Sequence, residues 1–228
     1  MLEGKRLIVT GGFGALGSEV ARSAALAGAR VVAIDRQKAE QAPRIDGVFG
    51  IGEVDLSRPE EAERAVAAGV EWLGGLDGLV NVVGAFRWEP LESGSVETWD
   101  FLYNVNLRTA VVTTKAALPR LQHEGGRIVN ISAATALRAG AGIGAYAASK
   151  AGVIKLTEAL AEELKERGVT VNAVLPSIID TPANRAEMKD ADTTRWVRPG
   201  DLAAVILFLL SDAAVAVTGA AIPVVGRT

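Results

Sequence analysis

The sequence predicts an α/β fold: one domain built on a doubly wound parallel sheet with helices on both faces. Three observations carry that expectation. Short apolar runs alternate with longer helical patterns along the whole chain. The strand-like runs are apolar rather than half polar, as expected of strands covered on both sides. Neither a Pro/Gly/Ser-rich linker nor an internal repeat divides the 228 residues, a length that one domain accommodates.

Taken in order, Lys5–Thr10 (KRLIVT) reads as the first strand and Ala15–Ala27 as an alanine- and leucine-rich helix stopped by Gly28. Arg30–Asp35 (RVVAID) is the second strand and Val48–Val54 a weaker third. Arg58–Trp72 is helical, with Ser57 as its N-cap and Pro59 in the first turn. Leu76–Val83 is a strand, Glu97–Leu121 one long helix and Arg127–Ser132 (RIVNIS) a strand. Ala145–Arg167 forms a helix ended by Gly168, and Val169–Leu175 a strand. Pro176–Pro199 is polar, proline-bounded and irregular, a candidate lid. Asp201–Leu210 is helical and Ala221–Val225 the last strand. Right-handed crossovers between such units wind the sheet in both directions.

Composition excludes several classes of function. Apolar residues make up 49% of the chain, so disorder is excluded. The formal net charge is −3, which argues against a nucleic-acid partner. With no cysteine there is no disulfide, no thiolate catalysis and no cysteine metal site. With a single histidine, His123, in a polar loop, multi-histidine zinc sites also go, and no metal is expected. Met1–Thr10 lacks the apolar core of a signal peptide. The apolar run Leu202–Leu210 is too short to span a bilayer, so no membrane partner is expected. A cysteine-free chain suits the cytoplasm.

Thr10-Gly11-Gly12-Phe13-Gly14-Ala15-Leu16-Gly17 follows the first strand and opens the first helix. Glycines there allow a tight turn and close approach of a pyrophosphate, and the helix N-terminus offers free N–H groups. Asp35 ends the next strand, where a carboxylate can hold both ribose hydroxyls of NAD and repel the 2′-phosphate of NADP. Arg36 beside it could still accept that phosphate, so NAD(H) is preferred with NADP(H) open. Asp55, next to Leu56, reads either as an adenine contact or as a loop or capping aspartate. Together these features point to a Rossmann-type dinucleotide site.

Tyr146 and Lys150 are four residues apart in YAASK, and so share one face of a helix. A nearby ammonium favours the phenolate and lowers the tyrosine pKa. The pair could then pass a proton while a nicotinamide passes hydride. Such a spacing also occurs as an ordinary surface pair. The dinucleotide turn upstream favours the chemical reading.

On these motifs the chain resembles the short-chain dehydrogenase/reductase family over essentially its whole length. The resemblance implies that Tyr146 is the proton donor, that Lys150 binds nicotinamide ribose, and that Asn106 is the relay asparagine. Asn81-Val82-Val83-Gly84 stands where the family has N-N-A-G. Pro176-Ser177-Ile178-Ile179-Asp180-Thr181 resembles P-G-x-x-x-T, with Pro176, Ile179 and Thr181 on the cofactor and Thr181 on its carboxamide.

Three departures stand out. Ala15 replaces the middle glycine of the family's usual turn, N-N-A-G is incomplete, and the catalytic serine position falls on Ala133. Ser132 is adjacent, but neighbouring strand residues face opposite ways. A local bulge would be needed to present it. Dihydropteridine reductases form a branch that manages without the serine. The segments 12–18, 180–196 and 224–228 resemble that branch.

The resulting expectation is an NAD(P)H oxidoreductase acting on a small molecule such as a quinonoid dihydropterin. The alternatives are a carbonyl or secondary-alcohol enzyme using Ser132, and a dinucleotide sensor without turnover. Phe86, Trp88 or Trp196 could offer the pterin a flat face, and Arg185 and Arg195 could meet an anionic substrate. The apolar helices Glu97–Leu121 and Ala145–Arg167, with the resemblance, imply a homodimer or homotetramer.

Overall fold

The computed structural model describes residues 1–42, 44–121 and 125–228; the expectation for His123 lies outside these residues. Among the described residues, seven parallel strands form one sheet in the order β3-β2-β1-β4-β5-β6-β7. They are β1 (Arg6–Thr10), β2 (Arg30–Ile34), β3 (Val48–Ile51), β4 (Gly78–Asn81), β5 (Arg127–Ile131), β6 (Thr170–Pro176) and β7 (Ala221–Val224). The chain winds outward from β1 through β2 to β3, then returns to pair β4 against the other side of β1. This reversal opens a crevice at the carboxyl ends of β1 and β4, where ligands of open α/β sheets bind.

The helices are α1 (Ala15–Leu26), α2 (Pro59–Leu73), α3 (Val96–Leu102), α4 (Thr109–Ala117), α5 (Gly144–Leu164), α6 (Pro182–Glu187) and α7 (Pro199–Leu210). Successive strand residues enter opposite layers, as the pleat dictates. Leu7 and Val9 of β1 pack with Leu16 and Val20 of α1 and Leu202 and Ile206 of α7. Ile8, between them, packs with Val66 of α2, Ala117 of α4 and Leu160 of α5. Both faces of the sheet are thereby covered, which is why its strands are mostly apolar.

The long helix expected over Glu97–Leu121 is divided. A π-helical turn, Tyr103–Arg108, separates α3 from α4. Ser57 does not cap α2: its N-cap is Arg58, and the first turn is supported by Pro59 and two acidic residues instead. The irregular segment 176–199 contains α6 and a short 3-10 turn, Thr193–Arg195. No helix among the described residues is long and apolar enough to cross a membrane.

Candidate active site

At the end of β1 the chain turns sharply through Gly11, whose φ of +62° favours glycine. A Cβ on Gly12 would lie 2.6 Å from the Ala33 methyl, and one on Gly17 would collide with the Gly11 carbonyl. Both glycines are therefore dictated by close backbone approach. Gly14 is the N-cap of α1 and has no side chain to satisfy the free N–H groups beyond it. Ala15, at the family's middle glycine, is exposed on the first helical turn, whereas Leu16 is buried beneath it. The alanine is thus accommodated without displacing the turn.

Asp35 braces this turn from β2. Its carboxylate accepts from Phe13 N–H at 3.1 Å and from Gln37 N–H at 3.1 Å. Arg36 is exposed next to it. Asp55 accepts from the Ser57 N–H and hydroxyl and pairs with Arg58, so its carboxylate is engaged in its own loop. Those hydrogen bonds from Ser57 hold it below the usual carboxylate range. Leu56 is a buried core residue beside α2.

Asn81 does not point into the crevice. Its amide donates to Thr114 Oγ1 at 3.0 Å and Asn130 Oδ1 at 2.9 Å, and Asn130 donates to Thr157 Oγ1 at 2.9 Å. This buried chain ties β4, β5, α4 and α5 together under the site. Sequence reasoning missed Asn130 and Thr157; a polar residue inside an otherwise apolar strand (RIVNI) was the available signal.

The Tyr146–Lys150 pair lies on the first turns of α5. Lys150 is buried, and its Nζ donates to the Ile131 carbonyl at 2.9 Å. A Cβ on Gly84 would lie 2.8 Å from Asn106 Oδ1 and 3.0 Å from Lys150 Nζ. Gly84, Asn106 and Lys150 therefore converge, and only glycine leaves them room. Asn106 sits on the π-helical turn and is 1% exposed. Its Oδ1 accepts from Ala85 N–H at 2.8 Å, and its Nδ2 donates to the Ala85 carbonyl and to Ser149 Oγ. Ser149 in turn donates to the Tyr146 carbonyl. The asparagine thus ties the segment after β4 to α5.

The expected lowering of the Tyr146 pKa by Lys150 is corrected here. Burial pushes the Tyr146 hydroxyl up to about 12 instead of Lys150 drawing it down. Burial also lowers Lys150, to about 8. Desolvation disfavours both charged forms. At neutral pH the tyrosine hydroxyl is protonated and the lysine, one helical turn on, is an ammonium.

Ser132 is likewise not presented to a substrate. It is 1% exposed, and its hydroxyl donates to the Lys150 carbonyl at 2.7 Å. The pairing of β5 with β6 runs in unbroken register to Ile131, and just beyond it the Ser132 N–H bonds the Val174 carbonyl while its side chain meets α5.

The outer wall is aromatic. The Phe86 ring meets Tyr146 edge-on, with centroids 5.0 Å apart, and is 53% exposed. Trp88 donates from Nε1 to the Ala141 carbonyl at 3.1 Å and lies so close over Gly142 that a Cβ there would strike the indole. Trp196 is different: at 6% exposure it belongs to the core and offers no flat face for a pterin to stack on. Pro176 ends β6; Ile179 bridges to Val197, and Thr181 caps α6 by accepting from Asn184 N–H.

Comparison with known proteins decides the family. A family model described as enoyl-(acyl carrier protein) reductase matches residues 14–226. The 3-oxoacyl-(acyl-carrier-protein) reductase FabG of Thermotoga maritima is 34% identical over 240 residues, covering 99% of this chain and 98% of its own. The chain belongs to the short-chain dehydrogenase/reductase family.

Other members of the short-chain dehydrogenase/reductase family agree in sequence and fold. An acetoacetyl-CoA reductase of Acinetobacter is 32% identical, covering 99% of this chain and 98% of its own. The crystal structure of a Burkholderia cenocepacia short chain dehydrogenase in complex with NADP has a TM-score of 0.87 at 33% identity, covering 99% and 98% of the two chains. A 3-ketoacyl-(acyl-carrier-protein) reductase from Brucella melitensis complexed with NADH has a TM-score of 0.90 at 30% identity, with the same coverage. The chain is accordingly an NAD(P)-dependent oxidoreductase. The pterin expectation finds no support in these relatives, whose names are those of oxoacyl and acetoacetyl reductases. The two nucleotides in these neighbours also leave its choice between NAD and NADP undetermined.

The residues present fit a dinucleotide. The Asp35 carboxylate at the end of β2, the glycine cradle after β1 and Gly84 after β4, against Lys150, follow one another across the carboxyl ends of the strands, with an anion-binding helix terminus at the middle one.

Proposed function

We propose that the protein is an NAD(P)H-dependent reductase of a substrate whose reacting double bond is already polarised by conjugation, quinonoid dihydropterin being the form its motifs favour. The observation that carries this reading is the absence of a hydroxyl at Ala133, with the Ser132 hydroxyl committed to the Lys150 carbonyl. A simple ketone gathers negative charge on oxygen as it is reduced, and loss of one donor to that oxygen costs about 10²–10³ in rate. A quinonoid imine spreads the charge over its ring and needs that donor less.

In this reading Tyr146 holds the proton that the substrate receives, and Lys150, one helical turn on, keeps its positive charge at neutral pH. Asn106 positions the Ala85 segment, so that Phe86 stands next to Tyr146 as a flat apolar wall. When bound, the reduced nicotinamide supplies hydride. Asp35 favours NADH, and the 176–199 segment serves as the lid. Homodimeric or homotetrameric assembly and a cytoplasmic setting belong to the same proposal.

A second reading is reduction of a ketone, favoured by the 3-oxoacyl and acetoacetyl-CoA reductases among the relatives. A dinucleotide sensor is the weakest reading, because it would have no use for the Tyr146–Lys150 arrangement. The deciding experiment follows NADH oxidation with freshly generated quinonoid dihydropterin beside a 3-oxoacyl thioester and simple ketones. Turnover of the pterin is expected, falling about 10²–10⁴-fold in Tyr146→Phe. Ala133→Ser is expected to raise ketone reduction at least about tenfold. Thioester turnover without pterin turnover would establish the second reading instead.

A further inference from the structure

A cavity of about 430 Å³ opens between the 193–198 segment, the start of α6 and the C-terminal turn at Gly226–Arg227. Four arginines line it: Arg185, Arg195, Arg198 and Arg227. Two of these are neutralised in place. Arg185 donates to both carboxylate oxygens of Asp180, and Arg198 to both of Asp201.

The other two have only carbonyl acceptors among the described residues. Arg195 donates from Nε and Nη2 to the Arg227 carbonyl at 3.0 and 2.8 Å. Arg227 donates from Nη2 to the Thr194 carbonyl at 3.0 Å, and its N–H to the Arg195 carbonyl at 3.1 Å. Gly226, with φ +61°, makes the turn that closes this lattice; a Cβ there would lie 2.8 Å from the Arg195 carbonyl. Asp192 senses both charges, but its Oδ1 is taken by the N–H and hydroxyl of Thr194.

Both guanidinium groups are thus tied to backbone carbonyls in the lining of one cavity. Each guanidinium carries five N–H donors, most of them still free. The free donors suit a multivalent oxyanion, whose oxygens match the guanidinium forks.

We propose that this cavity is an oxyanion site for a phosphate group, either free phosphate or the phosphate end of a larger ligand. The residues assigned to the dinucleotide cradle, Gly11–Gly17, Asp35, Gly84 and Lys150, do not line it, so the site is additional to the cofactor's. Both ends of the 176–199 segment form its walls, so an occupant would fasten that segment to the C-terminal turn.

The test is calorimetric titration at low ionic strength of protein saturated with NADH, which fills the cradle beforehand. The titrants are inorganic phosphate and, separately, coenzyme A as a phosphate carried on a large organic body. Saturable binding near one per chain is expected. Arg227→Gln keeps the backbone carbonyl that Arg195 needs, and should weaken binding at least about tenfold; Arg64→Gln, an exposed arginine on α2, should leave it unchanged. Circular dichroism checks that both variants are folded. Tighter binding of coenzyme A, sensitive to Arg227, would identify the end of a larger ligand; equal or weaker binding would identify free phosphate. Absence of saturable binding, or identical titrations for wild type and Arg227→Gln, would overturn the proposal. The readout is independent of turnover, so it stands apart from the choice of substrate above.

Discussion

Lys150 shows how much one buried side chain governs. Burial lowers its pKa to about 8 from an ordinary 10.5. Below pH 8 it is charged in the folded and the unfolded chain alike, and the folded state bears the full desolvation cost. Between about pH 8 and 10.5 the unfolded chain holds the proton and the folded chain does not, so its contribution to stability rises with pH across that window. Urea unfolding of wild type and Lys150→Met at pH 7 and pH 10 should therefore shift in the wild type's favour at the higher pH, by on the order of 3 kcal/mol. A difference independent of pH would show that the lysine is not desolvated as described. Asp35 is the second decisive residue. Its carboxylate braces Phe13 while lying next to the exposed Arg36. Asp35→Asn keeps an acceptor for that bond and removes the negative charge. The NADPH-to-NADH ratio of kcat/KM is expected to rise about tenfold or more, measured by initial rates with each nucleotide. An unchanged ratio would remove Asp35 from the choice of nucleotide.

At the scale of elements, the strand-to-helix turn is a packing problem solved by glycine. Gly17, inside α1, faces the Gly11 carbonyl so closely that any side chain collides with backbone. Gly17→Ala should weaken NADH binding at least about tenfold and lower the melting temperature, because a rigid backbone must give way. Quenching of tryptophan fluorescence by NADH, with a thermal melt, measures both; wild-type affinity in a stable variant would contradict the close approach. The α3–α4 region teaches a different lesson. Its periodicity reads as one helix, yet a π-helical turn interrupts it at Tyr103–Arg108. That turn carries Asn106, which bonds both backbone groups of Ala85. Such interruptions often mark functional sites, and here one connects the segment beyond β4 to α5.

For the whole molecule, the reversal of winding between β1 and β4 brings together a turn near residue 14 and a helix near residue 150. The same winding leaves apolar side chains outside. Trp99, Tyr103 and Val111 are exposed along α3, the π-helical turn and α4, and Phe208 on α7. Burying such faces between copies is the basis of the proposed homo-oligomer. Sedimentation equilibrium should give a dimer or tetramer, and Tyr103→Glu should move the distribution toward smaller species. A monomeric wild type at micromolar concentration would exclude that assembly.

What the sequence determined by itself was local in character. The glycine turn, the apolar strands and the four-residue Tyr146–Lys150 spacing depend on φ angles and on the periods of helix and strand, which a single stretch of residues expresses. The strands were legible in the right order, with no end displaced by more than three residues. The tertiary structure decided everything that depends on what a side chain meets. It turned Ser132 onto the Lys150 carbonyl and sank Asn81 into a chain with Asn130 and Thr157. It buried Trp196 while leaving Phe86 against Tyr146. It also reversed the expected direction of the Tyr146 shift, because desolvation is set by the surrounding fold and no spacing in the sequence encodes it.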